Sequence, residues 1–489
     1  MSEMARLIGR PTTIPVAALG ALGAVAGVAL VAFRSWSGGT ILSLGLLVLV
    51  AVPALGWRME HRLAALFGLW SVSDLIKKVT FLLPAQHQWA QFGPFLLPYA
   101  FFALAILIPW IRTRVTLRPT KLQLLVGAFV LVAALNTWLS GGAGLISKAA
   151  ATILLIMPWS MIAVAASYPR SVTSVCKVFV AVGVASAAYG ALQFVLGPTP
   201  IELHWAQTTG ELSIGASHLT AVLGGGEDFY LWRIIGFQAD EFTFALFMMN
   251  GLTAAWLLHA RKELSRAGFL AVSAVFLFAL GLSVVRTAWV ATAALIGYVH
   301  FSRKFRFMTK PVVVLSLLMG LFFAGDLAAI SLQGLRDLAQ ESLPPILRRT
   351  VTFGTLDARA GATQAFASAL EHRSVTGLGY GAAAWITNKF GGFDLLPSNY
   401  ALHNVVVELL WLVGLPGLIV SAAILIHVAR RGWRSARAGH LSRDEHLILL
   451  GYAFSMYLTG LSIAGVFLSL PFFYFMGILA SHRVQAAEG

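Results

Sequence analysis

Apolar runs of about 18 to 25 residues recur along the whole sequence, separated by short segments that carry charges and turn residues. An α-helix needs a run of this length to cross the hydrocarbon core of a bilayer. Backbone groups in lipid must be satisfied within the helix, so repeated runs predict a bundle of transmembrane helices. The composition agrees, because 58% of the 489 residues are hydrophobic and only 11% are charged. The sequence therefore predicts an all-α polytopic integral membrane protein.

The apolar runs divide at charges and turn residues into about 12 to 14 transmembrane helices. We expect one integral membrane domain over residues 1–489, since no long linker or internal repeat interrupts the pattern. The region 268–302 is too long for one span at about 1.5 Å per residue, so two short or tilted helices that meet at Arg286 are expected there. The candidate spans are 14–33, 39–57, 62–83, 92–111, 121–139, 147–168, 173–196, 240–259, 268–285, 287–302, 310–327, 403–428, 446–463 and 466–481.

The positive charge of the chain is explained by its expected orientation in a membrane. The formal net charge is +15, from 35 Lys and Arg against 20 Asp and Glu. With the N-terminus inside, most Lys and Arg residues fall in predicted cytoplasmic segments, which is where such residues are enriched. No nucleic-acid partner is therefore indicated. The start "MSEMARLIGR" and the apolar run after it are interpreted as an uncleaved signal anchor.

Two long segments fall on the opposite, outer face if the spans alternate. We expect 197–239 to form a periplasmic loop and 328–402 to form a large periplasmic loop. Binding and catalytic residues are concentrated on loops that a rigid scaffold positions. The functional residues are therefore expected in these two loops and at the helix ends beside them.

Three arginines on the predicted outer face are candidates for a ligand site. Arg286 is flanked by apolar residues, and a charge at that depth is costly unless it is paired or faces a wet cavity. Arg359 shares a predicted helix face with Phe366 and Leu370 and would point toward the protein body. Arg233 stands just before a span. A snorkelling arginine at the headgroup level or a solvated loop arginine is the alternative.

Converging arginines indicate a phosphate-bearing ligand, because the guanidinium fork matches phosphate oxygens and stays charged at any ordinary pH. A lipid pyrophosphate at the outer boundary of the membrane fits this chemistry. The sequence has no Asp-x-Asp pair, no Walker-type loop and no zinc-ligand spacing. We therefore expect no metal and no cofactor, and we expect arginine to stabilise the departing phosphate.

Further polar residues lie within or beside apolar runs. Asp74 and Lys78 could pair at positions i and i+4, and a structural salt bridge is favoured over a catalytic role for Lys77 and Lys78. The run "GLGYG", which contains Gly377 and Gly379, indicates a turn.

A His-Asn pair stands at the start of the apolar run that follows the large loop. The imidazole of His403 suits proton transfer near neutral pH, although a helix cap or an interface position is the alternative. Glu408 lies one turn after Asn404 on the same face, which suggests that this face points into the protein.

Four segments occur in the order found in the O-antigen ligase and O-antigen polymerase superfamily. They are "RIIGF", "SVVRTAW", "DARAGATQAFASALEHRSVTGLGYG" and "LHNVVVELLWLVGLPG", and they lie between Arg233 and Gly417. The chain resembles this superfamily over that region, whereas its N-terminal half is similar only in hydropathy. The Pro-Asn that often follows the first segment in the superfamily is replaced here by "QADEF". The resemblance implies a C-type membrane glycosyltransferase architecture, with short helices in a large periplasmic loop that completes the active site.

The resemblance also implies a function. A metal-independent, inverting O-antigen ligase in the bacterial inner membrane would move a glycan from undecaprenyl pyrophosphate to lipid A-core on the periplasmic side, in lipopolysaccharide biosynthesis. An O-antigen or exopolysaccharide polymerase with the same donor is the main alternative, and a transporter of lipid-linked sugars is the third. By this resemblance Arg286 and Arg359 would hold the pyrophosphate, and His403 would be the base or the orienting group. The expected substrate-binding residues are Arg233, Asn404, Gly377, Gly379, Lys77 and Lys78.

Overall fold

A computed structural model describes residues 38–80, 92–114, 119–139, 145–203, 220–222, 230–232, 234–238, 240–283, 285–304, 377, 379, 405–460 and 469–481. Helices dominate this part of the chain. They are α1 Gly38–Ala54, α2 Met59–Thr80, α3 Phe92–Phe101, a π-helix Phe102–Leu107, α4 Ile108–Arg114, α5 Lys121–Leu139, α6 Leu145–Ser167, α7 Ser171–Leu196, α8 Glu241–Ala260, α9 Arg266–Leu282, α10 Arg286–Lys304, α11 Val405–Arg437, α12 Arg443–Gly460 and α13 Leu470–Leu479.

Two short strands accompany the helices. The strand β1 (Thr220–Val222) pairs antiparallel with β2 (Tyr230–Trp232), and Ala221 lies opposite Leu231. Both belong to the segment 197–239, which was expected to be a loop. A turn of helix at 200–203 and the residues 234–238 belong to the same segment.

Helices occupy the predicted spans throughout the described residues, while the spans 14–33 and 310–327 lie outside them. The predicted junction in 268–302 is confirmed, because α9 ends at Leu282 and α10 begins at Arg286. The helix in the predicted span 403–428 extends beyond that span, since α11 continues to Arg437. Arginine is a good helix former, and positive charge is favourable in the last turn of a helix, so the basic residues extend this helix.

Among the described residues, length and composition identify four helices that could cross a membrane: α5, α7, α8 and the part Leu412–Arg437 of α11. Shorter apolar helices are Leu97–Thr113, Ala151–Ser167, Arg266–Leu282 and Leu470–Leu479. On α5, Leu124, Leu131 and Leu135 are exposed on one face. Apolar side chains exposed in this way suit a helix in contact with lipid. The described part of the chain is thus an α-helical membrane protein.

Small residues allow the helices at the centre of the bundle to approach closely. The ring of Phe276 on α9 fits between Gly183 on α7 and Gly251 on α8. A Cβ atom would lie 2.7 Å from the Phe276 ring at Gly183 and 2.6 Å from it at Gly251. Glycine at helix contacts of this kind is typical of membrane bundles, where close packing replaces the hydrophobic effect.

Ion pairs and hydrogen bonds define one end of the bundle, which we call the basic end. There Lys177 of α7 contacts Glu263 at 2.8 Å, and Arg261 contacts Glu445 of α12 at 2.6 Å. Arg443 donates to the backbone carbonyl of Arg303 at the end of α10. The opposite end is formed by the last turns of α2, α5, α7 and α9 and by the first turns of α8, α10 and α11. The candidate residues of the sequence analysis that are described lie at this opposite end.

Candidate functional site

The predicted site residues divide into three groups. Arg233, Arg359, His403 and Asn404 lie outside the described residues. Arg286 is the first residue of α10 and Lys77 lies in the last turn of α2, with both side chains outside the described part of the structure. The remaining three, Lys78, Gly377 and Gly379, are described.

Lys78 is buried near the end of α2, with 2% of its side chain exposed. Its ammonium group lies 3.3 Å from Glu202 Oε1 and donates to the carbonyl oxygen of Gly236 at 3.1 Å. The charge of Asp74 also acts on Lys78. Lys78 thus forms a buried salt bridge, and its partner at 3.3 Å is Glu202, a carboxylate that sequence spacing within α2 could not reveal.

Glu202 is the centre of this buried group, with 2% of its side chain exposed. Besides Lys78, its Oε1 accepts from Gln193 Nε2 at 2.5 Å. Its Oε2 accepts from the backbone N–H of Thr199 at 3.0 Å and from the Thr199 hydroxyl at 3.1 Å. A buried carboxylate is tolerated when its lone pairs are used and an opposite charge is close. We call Lys78, Gln193 and Glu202 the polar clamp.

The polar clamp holds the segment 234–238. The Oε1 of Gln193 accepts from the backbone N–H of Ile235 at 3.1 Å and of Gly236 at 2.9 Å, while Lys78 takes the carbonyl oxygen of Gly236. The hydroxyl of Ser186 on α7 accepts from the N–H of Phe237 at 3.1 Å. Side chains on two helices therefore fix the backbone of the residues that directly follow Arg233 in the chain.

Gly236 is required at its position in this segment. Its φ of 53° lies in the left-handed region that side chains other than glycine rarely adopt. A Cβ atom there would also lie 2.5 Å from Phe244 and from the Ser186 hydroxyl. The glycine of "RIIGF" is thus needed for the chain to reach the polar clamp.

The helix α11 is interrupted where "GLPG" occurs. Gly414 has φ 65° and ψ −175°, which is not helical. Pro416 has no N–H, so the carbonyl of Leu412 lacks its helical partner four residues later. The N–H of Gly379 donates to that carbonyl at 2.9 Å. The neighbouring carbonyl of Val413 accepts from Asn136 Nδ2 of α5 at 2.8 Å.

The glycines of "GLGYG" adopt conformations that only glycine takes readily. Gly377 has φ 69° and Gly379 has φ 80°. These positive φ values are compatible with the predicted turn, which stays a prediction because the residues between and around the two glycines are not described, and Gly379 is buried against α11. The hydrogen bond from Gly379 to Leu412 therefore joins the segment 328–402 to the helix that begins two residues after His403.

Sequence reasoning missed four polar residues that organise this end of the bundle. Gln193, Ser186 and Asn136 lie within apolar helices, and Glu202 lies in a segment without periodicity. The signal for the three residues inside helices was their position, because polar side chains inside spans face partners within the protein. Within the described ranges, no group of three His, Cys, Asp or Glu side chains is placed to hold a metal ion.

Comparisons of the chain with protein-family models, with curated proteins and with solved structures find no match.

Proposed function

We propose that the chain is a bacterial inner-membrane glycosyltransferase of the O-antigen ligase type. It transfers a glycan, with inversion and without a metal, from undecaprenyl pyrophosphate to lipid A-core at the periplasmic face. The proposal includes the C-type architecture of about 12 to 14 spans and a large periplasmic loop with short helices. The observation that carries it is the hydrogen bond from Gly379 to Leu412. It joins two of the segments on which the resemblance rests.

The polar clamp gives a second line of support. It holds the segment after Arg233, which is the first of the four segments, through contacts with Lys78 and Gln193. The same end of the bundle includes the start of α10, where Arg286 stands. Described parts of all four segments therefore lie toward one end of the bundle, which supports a shared site.

Arginine supplies the phosphate chemistry in this proposal. Arg286 and Arg359 hold the pyrophosphate of the donor, because guanidinium groups bind phosphate oxygens in pairs. Arg286 opens α10, and the free N–H groups and positive dipole of a helix start favour an anion there. Arg233 and Asn404 contact the substrates near the two arginines.

The transfer step needs little more than charge stabilisation and proton removal. The acceptor hydroxyl attacks the anomeric carbon of the glycan, and the bond between that carbon and the pyrophosphate oxygen breaks. The hydroxyl proton passes to His403, or His403 orients the hydroxyl while the proton leaves to water. The pyrophosphate departs with its developing negative charge on the arginines, so binding is strongest in the transition state.

Lys78, Gln193 and Glu202 act as positioning residues in this reaction, and so does Asn136. The ammonium group of Lys78 donates hydrogen bonds to Glu202 and to the carbonyl of Gly236. Lys78 therefore contributes to substrate binding indirectly, by holding the segment after Arg233 in place. Asn136 holds the first part of α11 through the carbonyl of Val413. Small displacements of groups that orient substrates have large effects on transfer rates.

The test is a reaction of the purified protein with undecaprenyl-pyrophosphate glycan, with and without lipid A-core. Glycan attached to lipid A-core supports the ligase. A lengthened lipid-linked glycan means a polymerase, which uses the same donor and chemistry. The absence of both products, with intact donor recovered, contradicts the glycosyltransferase and favours the transporter.

A further inference from the structure

A second cluster of positive charge lies at the basic end, far along α11 from the proposed catalytic site. Lys121 opens α5, and His427, Arg430, Arg431 and Arg434 lie in the last turns of α11. The two helices pack against each other. The charges of Lys121 and of the three arginines all act on the His427 ring. Four cations are therefore gathered around one imidazole, at the contact between α5 and α11.

Nearby carboxylates are engaged with other cations. Glu445 contacts Arg261 at 2.6 Å, and Asp444 contacts Arg303 at 3.2 Å. The exposed Glu263 pairs with Lys177. In the described ranges, no ion pair at this end involves the cluster around His427. The mutual repulsion of these charges is one that a bound anion would reduce.

Two nitrogen atoms of the cluster lack hydrogen-bond partners. The Nε of Arg431 and the Nε2 of His427 are enclosed by protein, and neither has a partner among the described residues. The two residues are four apart, so they share one face of α11. An enclosed guanidinium N–H without an acceptor is costly, and the charge of an anion bound beside Arg431 and His427 would lower that cost.

The position of the cluster indicates where the anion comes from. The apolar part of α11 presents Leu415 and Ile419 to its surroundings, and the basic residues begin where that part ends. Trp433 follows on the same helix, with the guanidinium of Arg437 4.3 Å from its ring centroid. Aromatic and basic residues mark the headgroup level of a span, and basic pockets between helices at this level bind anionic headgroups.

We propose that Lys121, His427, Arg431 and Arg434 bind the phosphate group of an anionic phospholipid at the contact of α5 and α11. This site is separate from the catalytic site, and it does not depend on the proposed reaction. Its role is to hold the phosphate of a lipid in the leaflet at the basic end.

Lipid binding to the purified full chain in detergent tests the proposal. Native mass spectrometry would compare short-chain phosphatidylglycerol with phosphatidylcholine of the same chain length, and a parallel thermal-unfolding series would use inorganic phosphate. We expect phosphatidylglycerol to bind more tightly than phosphatidylcholine. Lys121→Gln and Arg431→Gln are each expected to weaken phosphatidylglycerol binding about fivefold, which is the effect of one basic residue near a membrane surface.

Arg266→Gln is the matched control, because it removes an exposed charge from the same end of the bundle, at the start of α9. It is expected to leave lipid binding unchanged. Lys121 is exposed, so Lys121→Gln keeps the test decisive if Arg431→Gln does not fold.

Three results would overturn the proposal. Equal binding of the two lipids would remove the selectivity for an anion. An equal loss in Arg266→Gln would mean that charge anywhere at the basic end attracts the lipid, with no site at α5 and α11. Stabilisation by inorganic phosphate as strong as that by phosphatidylglycerol would assign the cluster to a soluble phosphate compound.

Discussion

Replacing Glu202 with glutamine is the sharpest test of the polar clamp. The substitution keeps the shape of the side chain but removes the negative charge 3.3 Å from the buried Lys78 ammonium. In the unsubstituted protein, Gln193 and Thr199 donate hydrogen bonds to the two carboxylate oxygens of Glu202. Glutamine replaces one of these oxygens with an amide NH₂ group, which cannot accept a hydrogen bond. Removing one partner of a buried ion pair costs about 3 to 5 kcal/mol of stability. We expect a loss of that size for Glu202→Gln and a similar loss for Lys78→Met.

The double variant Lys78→Met/Glu202→Gln distinguishes the interaction energy of the ion pair from a general loss of stability of the bundle. With both charges removed, no uncompensated charge remains in the interior, so the double variant should be more stable than the two single losses predict. We expect an interaction energy of about 2 kcal/mol between the two positions. The measurement is equilibrium unfolding of the purified protein in mixed micelles with rising sodium dodecyl sulfate, followed by far-ultraviolet circular dichroism.

The exposed pair of Lys177 and Glu263 provides the matched control, with 58% and 42% of the two side chains exposed. Its removal should leave the unfolding transition in place, because exposed ion pairs contribute little. Losses at Lys78 and Glu202 that add within about 0.5 kcal/mol would refute the reasoning, since additivity means that the two side chains act independently.

Three further predictions concern the transfer reaction. Asn136→Ala removes the hydrogen bond to the Val413 carbonyl. Because such a bond contributes about 1 kcal/mol, kcat should fall about fivefold to tenfold, with the KM for the lipid-linked glycan nearly unchanged. An effect on that KM alone would assign Asn136 to binding of the lipid-linked glycan. Arg286→Ala and Arg359→Ala should each abolish transfer in membranes that contain normal amounts of the protein, and wild-type rates in either variant would remove that arginine from the site. His403→Ala should lower turnover more than the affinity for the lipid-linked donor measured by direct binding, whereas equal losses would assign it to binding.

The helices were predictable because their cause is local. A run of apolar residues long enough to cross lipid has few alternatives to a helix, and the junction before Arg286 followed from the length of 268–302. The end of α11 was not predictable from hydropathy, because its last turns are held by helix-forming arginines whose side chains lie near neighbouring elements. Apolarity therefore indicates where a span lies more reliably than where its helix stops.

The polar contacts at the opposite end depend on distance in space and not on spacing in the sequence. Lys78 and Glu202 are 124 positions apart, and Asn136 and Val413 are 277 positions apart. The spacing of Asp74 and Lys78 indicated that a salt bridge would form, but it could not identify the carboxylate that lies across the bundle. Likewise, "GLGYG" predicted a turn but no contact, and the missing N–H of Pro416 explains why the Leu412 carbonyl is free to accept from Gly379.

The interruption at Gly414 and Pro416 divides α11 into two mechanical units. The upper unit is the part of α11 before Gly414, and the lower unit is the part after Pro416. In the lower unit, the Ser435 hydroxyl donates to the carbonyl of Ser481 at 2.9 Å. The upper unit is tied through Leu412 and Val413 to Gly379 and Asn136. A shift of the upper unit would break these two hydrogen bonds, of order 2 kcal/mol, and would also disturb the packing of the buried Leu409 and Leu412. A displacement at Gly379 would thus be passed to the upper unit of α11 through the hydrogen bond to Leu412, and from there to α5 through Asn136.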